Sequence, residues 1–93
     1  MNKKIIINEK VYELITNYRD AYNEVDFKEK CTDYFYDYDY IIGDIAYGKL
    51  RLKGFYDSNN KRVKKLNDIK YLDDYITNYC AFDCKYFVLK KIK

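Results

Sequence analysis

The chain has no histidine, no proline and no tryptophan, and only three glycines and three cysteines among its 93 residues. Each shortage removes a chemistry. Without histidine, the usual base that activates a Ser or Cys nucleophile is missing. The single serine, Ser58, stands in the polar stretch DSNNKR, which reads as a turn or loop. A structural zinc site needs four ligands. Cys80 and Cys84 are four apart and would share one helix face, but a set would need Asp83 and a distant Cys31 as well. A free cysteine is ordinarily a small buried hydrophobe, so no metal is expected. Gly43, Gly48 and Gly54 fall within an expected hairpin, not ahead of a helix, which excludes a phosphate-cradling loop. No cofactor is expected. Asp37, Asp39 and Asp44 form no pair matched for general acid and base work, and the chain is read as a non-enzyme.

Long apolar runs are lacking too. None approaches the roughly 20 residues that span a bilayer. The opening MNKKIII is basic, with only three apolar residues before Asn8, Glu9 and Lys10, too short for a signal peptide. The odd cysteine count fits a reducing compartment. A cytoplasmic location and no membrane partner are expected.

What is present is unevenly spread. Lys, Tyr, Ile and Asn make up 46 of the 93 residues. All four have A/T-rich codons, so codon bias competes with function as the reason for every Tyr or Lys cluster. Residues 1–48 carry net charge −4 and residues 49–93 carry +7, with seven cations against one Asp between Lys49 and Lys65. Such a dipolar domain steers toward a polyanion or an acidic surface. At 48% hydrophobic residues, one small domain over residues 1–93 has enough apolar material for a single core.

Periodicity gives the elements. KKIII and VYELIT read as strands around a polar turn at Asn8–Lys10, with Tyr12, Leu14 and Thr16 alternating with Val11, Glu13 and Ile15. NEVDFKEKCTDYF reads as a helix capped by Asn23, with Phe27, Cys31, Tyr34 and Phe35 as its apolar stripe. YDYIIGDIAY and GKLRLKGFYD form a hairpin turning at Gly48. NDIKYLDDYITNYC is a second helix, capped by Asn67 or Asp68, with Ile69, Leu72, Ile76 and Tyr79 inward. CKYFVLKKI closes as a strand buried on both faces, hence central. The order β-β-α-β-β-α-β predicts an α+β fold with a mainly antiparallel sheet and both helices on one face. A ferredoxin-like core fits this order, and a small, partly open barrel is the rival.

The segment YRDAYNEVDFKEKCTDYFYDYDYIIGDIAYGKLRLKGF, residues 18–55, resembles the YutD-like family of small bacterial proteins. The closing YCAFDCKYFVLKKIK is similar to that family's C-terminal end, and the most specific block is YDYIIGDIAYGKLRLKGF. The resemblance implies a bacterial cytosolic single-domain protein, mostly found in Firmicutes and their relatives, and transfers no catalytic residue.

The candidate site lies at KLRLKGF. On a strand, Lys49, Arg51, Lys53 and Phe55 project from one face, with Tyr47 at the turn and the basic loop Lys61, Arg62, Lys64 and Lys65 following. Either Tyr40, Ile42 and Asp44 or Asp39, Ile41 and Ile45 of the partner strand lie beside them. Cations for phosphates and an aromatic face for bases are what single-stranded nucleic acid requires. In that reading Phe55 offers the stacking face, although the Gly-aromatic-Gly-aromatic core of an RNA-recognition motif is missing. An acidic protein partner is the alternative, and a solvated sheet face is the third explanation.

Overall fold

The computed structural model describes residues 3–79 and 85–92. Five strands form one antiparallel sheet: β1 (Lys3–Ile7), β2 (Lys10–Tyr18), β3 (Tyr40–Ala46), β4 (Lys49–Phe55) and β5 (Lys85–Ile92). The described residues also form α1 (Glu24–Lys30), α2 (Leu72–Tyr79) and three short 3-10 turns. The sheet order is β1-β2-β5-β3-β4.

The two hairpins are fixed locally. Asn8 and Glu9, then Tyr47 and Gly48, occupy both central positions of two-residue turns with positive φ, the conformation whose twist matches the flanking strands. β5 enters between β2 and β3. Its run Phe87, Val88 and Leu89 is buried on both faces, as its unbroken apolar sequence requires. β2 alternates as expected only to Leu14. A bulge at Ile15 then resets the register, so Leu14 pairs with Leu89 and Thr16 with Val88. Thr16 therefore points to the face opposite Leu14.

Pleat parity separates two cores. Ile5, Tyr12, Leu14, Ile41, Phe87 and Leu89 project from one face onto Phe27 and Cys31. Ile42, Phe55 and Val88 project from the other onto Ile69, Leu72, Tyr75 and Ile76. The helices thus lie on opposite faces of the sheet, and the single-face arrangement expected from element order is corrected. Strands β2 and β3 run parallel across β5, and β4 and β5 run parallel across β3. Two crossovers of one hand in this order would share a face. With α1 over one face and α2 over the other, the two connections are of opposite hand. The strand order is accordingly not ferredoxin-like.

Helix ends follow side-chain chemistry. The Asn23 side chain accepts from the Asp26 N–H at 3.1 Å, as the sequence predicts. α1 stops at Cys31, earlier than the apolar stripe implied, because Thr32 is extended and Asp33–Phe35 forms a 3-10 turn. Tyr34 is consequently exposed while Phe35 packs against the core. Asp68 caps the turn Ile69–Tyr71 that leads into α2, accepting from the Lys70 N–H at 3.0 Å. The Tyr79 side chain, Cys80, Asp83 and Cys84 lie outside the described residues.

Gly43 and Gly54 do not face each other across the hairpin. Gly43 pairs with Leu52 and Gly54 with Ile41. Each instead gives up its side-chain volume to an aromatic ring: a Cβ on Gly43 would meet Phe87 Cζ at 2.1 Å, and one on Gly54 would meet the Tyr38 ring at 2.3 Å.

Candidate binding surface

Strand β4 is the outer strand beside β3, so its residues meet a neighbour on one side only. Lys49, Arg51, Lys53 and Phe55 do share one face. The partner-strand residues beside them are Tyr40, Ile42 and Asp44, by the pairs Tyr40–Phe55, Ile42–Lys53 and Asp44–Arg51. What differs is the environment of that face, because α2 lies over it.

Phe55 is 1% exposed and meets the edge of Tyr75 with ring centroids 5.5 Å apart. It belongs to the core and cannot stack on a base, which corrects the role read from the sequence. Lys53 reaches over the same two rings, 5.3 Å from the Phe55 centroid and 5.9 Å from that of Tyr75, a cation–π arrangement. Arg51 forms a hydrogen-bonded ion pair with Asp44, a carboxylate buried between sheet and helix. That hydrogen bond raises the guanidinium pKa further. Of the four residues, Lys49 stands exposed at the start of the strand.

The other predicted residues are exposed. Tyr47 stands at the hairpin tip, 95% exposed. Lys61, Arg62, Lys64 and Lys65 are all on the surface, with Arg62 3.6 Å from Asp37. Only part of the set converges. Lys53, Phe55 and Lys65 line a cavity of about 660 Å³ together with Leu66, Tyr71 and Tyr75. A neighbouring cavity of about 430 Å³ runs along the open side of β4, between Tyr34, Phe35 and Tyr38 on one flank and Leu66, Asn67 and Tyr75 on the other. Tyr47 and Lys49 lie at the far end of the strand. Six residues at about 3.4 Å each separate Lys49 from Phe55.

Three residues of this groove escaped the sequence reading. Leu66 is 82% exposed, a lone apolar residue inside a basic loop, which was the available signal. Tyr75 falls on the inward stripe of α2, three residues after Leu72. Tyr38 is placed by Gly54 and hydrogen-bonds to Tyr34, hydroxyl to hydroxyl at 3.1 Å, a contact that pushes its pKa up to about 12.

The family model described as "Putative antitoxin YutD-like" matches residues 6–90. The chain belongs to the YutD-like family. It is 47% identical over 89 residues to "Putative antitoxin YutD" of Bacillus subtilis (strain 168), covering 96% of this chain and 98% of that one. It is also similar to the solution NMR structure of protein yutD from B. subtilis, with a TM-score of 0.82, 46% identity, and coverage of 98% of this chain and 83% of that one. At this identity the YutD-like likeness covers the β3–β4 hairpin, the basic loop and both helices. Among the described residues of this YutD-like chain, no helix is long and apolar enough to cross a membrane.

Proposed function

We propose that this chain is a cytoplasmic binding module that holds an acidic partner protein, acting by association and not by catalysis. The observation that carries the reading is the composition of the β4 groove. Apolar and aromatic groups, Leu66, Tyr75, Tyr34 and Tyr38, line its walls, and Lys53 and Lys65 stand at its side. Exposed Leu66 and Tyr34, with part-buried Tyr38 and Tyr75 behind them and cations beside them, suit a protein surface, where a few inserted side chains carry the binding energy. Base stacking needs open ring faces, and Phe55 does not offer one. The family and its B. subtilis member carry the description "Putative antitoxin", a word for a molecule that counters a toxin, and a protein toxin is the partner this groove suits. The two buried carboxylates are bonded within the fold, Asp44 through Oδ2 to Arg51 and Asp68 to Ser58 and the Lys70 N–H.

The test is affinity capture from a bacterial lysate, with and without nuclease, using the native chain and a Lys64→Glu, Lys65→Glu variant. The reading expects an acidic protein retained after nuclease and lost from the variant. Retention that disappears with nuclease overturns it.

RNA is the second reading, favoured by the open ring of Tyr47 two residues from Lys49. It expects nucleic acid to co-purify, with affinity for mixed single-stranded RNA falling steeply with salt.

A further inference from the structure

We infer that the outer edge of β4 takes up an extended segment of the partner protein as a sixth strand, and that this segment alternates acidic and apolar side chains. The inference rests on the protein-partner reading above and specifies its geometry.

Backbone parity is the first argument. The two-residue turn at Tyr47–Gly48 makes Ala46 and Lys49 the closing hydrogen-bonded pair of the hairpin. Alternation then directs the backbone N–H and C=O groups of Leu50, Leu52 and Gly54 away from β3. The chain itself confirms the parity one step further on. Tyr56 gives its N–H to the Asn67 carbonyl at 2.6 Å and its carbonyl accepts from the Ile69 N–H at 2.9 Å, as an isolated parallel bridge to Asp68. One position of the edge is thus already used for strand-like pairing. The three before it meet no neighbouring strand among the described residues.

The edge is also regular. Natural sheets blunt an outer strand with charged side chains, Pro, a bulge or a cover, and of these β4 carries charges, Lys49, Arg51 and Lys53, with Gly54 buried at its end. β4 has no proline, and its register with β3 runs without a break from Lys49 to Phe55. The groove of about 430 Å³ lies along this edge, walled on both flanks.

Side-chain direction gives the partner's pattern. Residues of an added strand that lie opposite Leu50 and Leu52 fall on the face of Phe35 and Tyr38 and are apolar. Those opposite Lys49, Arg51 and Lys53 fall on the other face, where Lys49 and Lys53 favour acidic side chains across strands, Arg51 being already paired with Asp44. A second copy of this chain is the wrong occupant. Two β4 strands paired about a two-fold axis would set Lys49, Arg51 and Lys53 beside their own equivalents.

The experiment uses the isotope-labelled full chain and acetylated peptides as long as β4, 7 residues. One alternates Glu and Val, one alternates Lys and Val, and two are Glu–Val peptides N-methylated on one or the other alternate set of residues. An added strand uses only alternate peptide N–H groups. The inference therefore expects the Glu–Val peptide to bind, one methylated set to abolish binding and the other to leave it. Amide exchange at Leu50, Leu52 and Gly54 slows about tenfold at nine-tenths occupancy. Leu52→Pro removes an outward N–H that β3 does not use, a change tolerated on an edge strand, and it abolishes peptide binding while the amide spectrum remains folded.

No binding at about 1 mM peptide overturns the inference, as does equal binding of both methylated forms. Dimerisation that protects the same three amides overturns the choice of occupant. Capture of an acidic protein that persists in Leu52→Pro overturns the added strand while leaving the protein-partner reading intact. If no protein is captured by the native chain, that reading itself fails.

Discussion

Arg51 and Asp44 are direct cross-strand partners, and their side chains meet on the sheet face that α2 covers. The Asp44 side chain is buried, with Oδ1 lacking a hydrogen-bond partner among the described residues, while about half of the Arg51 side chain stays exposed. The guanidinium is therefore the counter-charge that lets a carboxylate sit between sheet and helix. This changes what the cationic strand is for: its central cation holds the fold before it meets any ligand.

Removing Arg51 strands a buried charge. Arg51→Ala is expected to destabilise the domain on the order of 3 kcal/mol, measured by urea denaturation. Replacing both residues, as in Asp44→Leu with Arg51→Leu, is expected to restore most of that loss, because no unpaired charge then remains. A single Arg51 variant with unchanged stability would show that the pair is not structural.

The two hairpin-tip residues and Gly43 separate space from backbone conformation. Gly43→Ala drives a methyl into the Phe87 ring and is expected to cost about 1–3 kcal/mol. Tyr47 holds φ 55 ahead of Gly48 at φ 76, where Asn-Gly is the preferred pair. Tyr47→Asn is expected to raise stability by roughly 0.5–1 kcal/mol, read as a higher denaturation midpoint. The same variant losing a ligand while gaining stability would place Tyr47 in a binding surface.

Cys31 is expected to be inert in the native protein. Burial in the core at the C-cap of α1 pushes its thiol up to about 11, so little thiolate is present near neutrality. Peptide mapping after alkylation at pH 8 should find Cys31 unmodified in the native chain and modified in guanidinium. Rapid labelling of the folded protein would contradict this packing.

Asp68 sets an acid limit. The Ser58 hydrogen bond, at 2.5 Å, is the main cause holding its carboxyl below the ordinary value; burial opposes this, and Lys70 adds to it. A lowered folded pKa means the contribution is complete above the unfolded value, about 3.9, and is lost as pH falls through the folded one. Titration of the Asp68 carboxyl by NMR should show its midpoint rising in Ser58→Ala. Below pH 4 the Ile69 amide, bonded to Tyr56, should lose exchange protection. An unchanged midpoint would remove Ser58 from this role.

Local chemistry was legible in the sequence and nonlocal placement was not. Alternation identified β2, Asn23 announced the start of α1, Gly48 marked the hairpin turn, and the unbroken run Tyr86–Leu89 placed β5 in the middle of the sheet. The residues of KLRLKGF likewise declared which of them share a face, because pleating follows from the backbone alone. No local pattern states which face a crossing helix will cover. That is decided by where β5 inserts and by the hand of each connection, and it turned Phe55 from a surface ring into core and Arg51 from a free cation into the partner of Asp44. The same long-range assembly left β4 at the edge of the sheet, with three residues' backbone groups directed outward. Strand order is set by packing between distant segments, so only the tertiary structure could decide it.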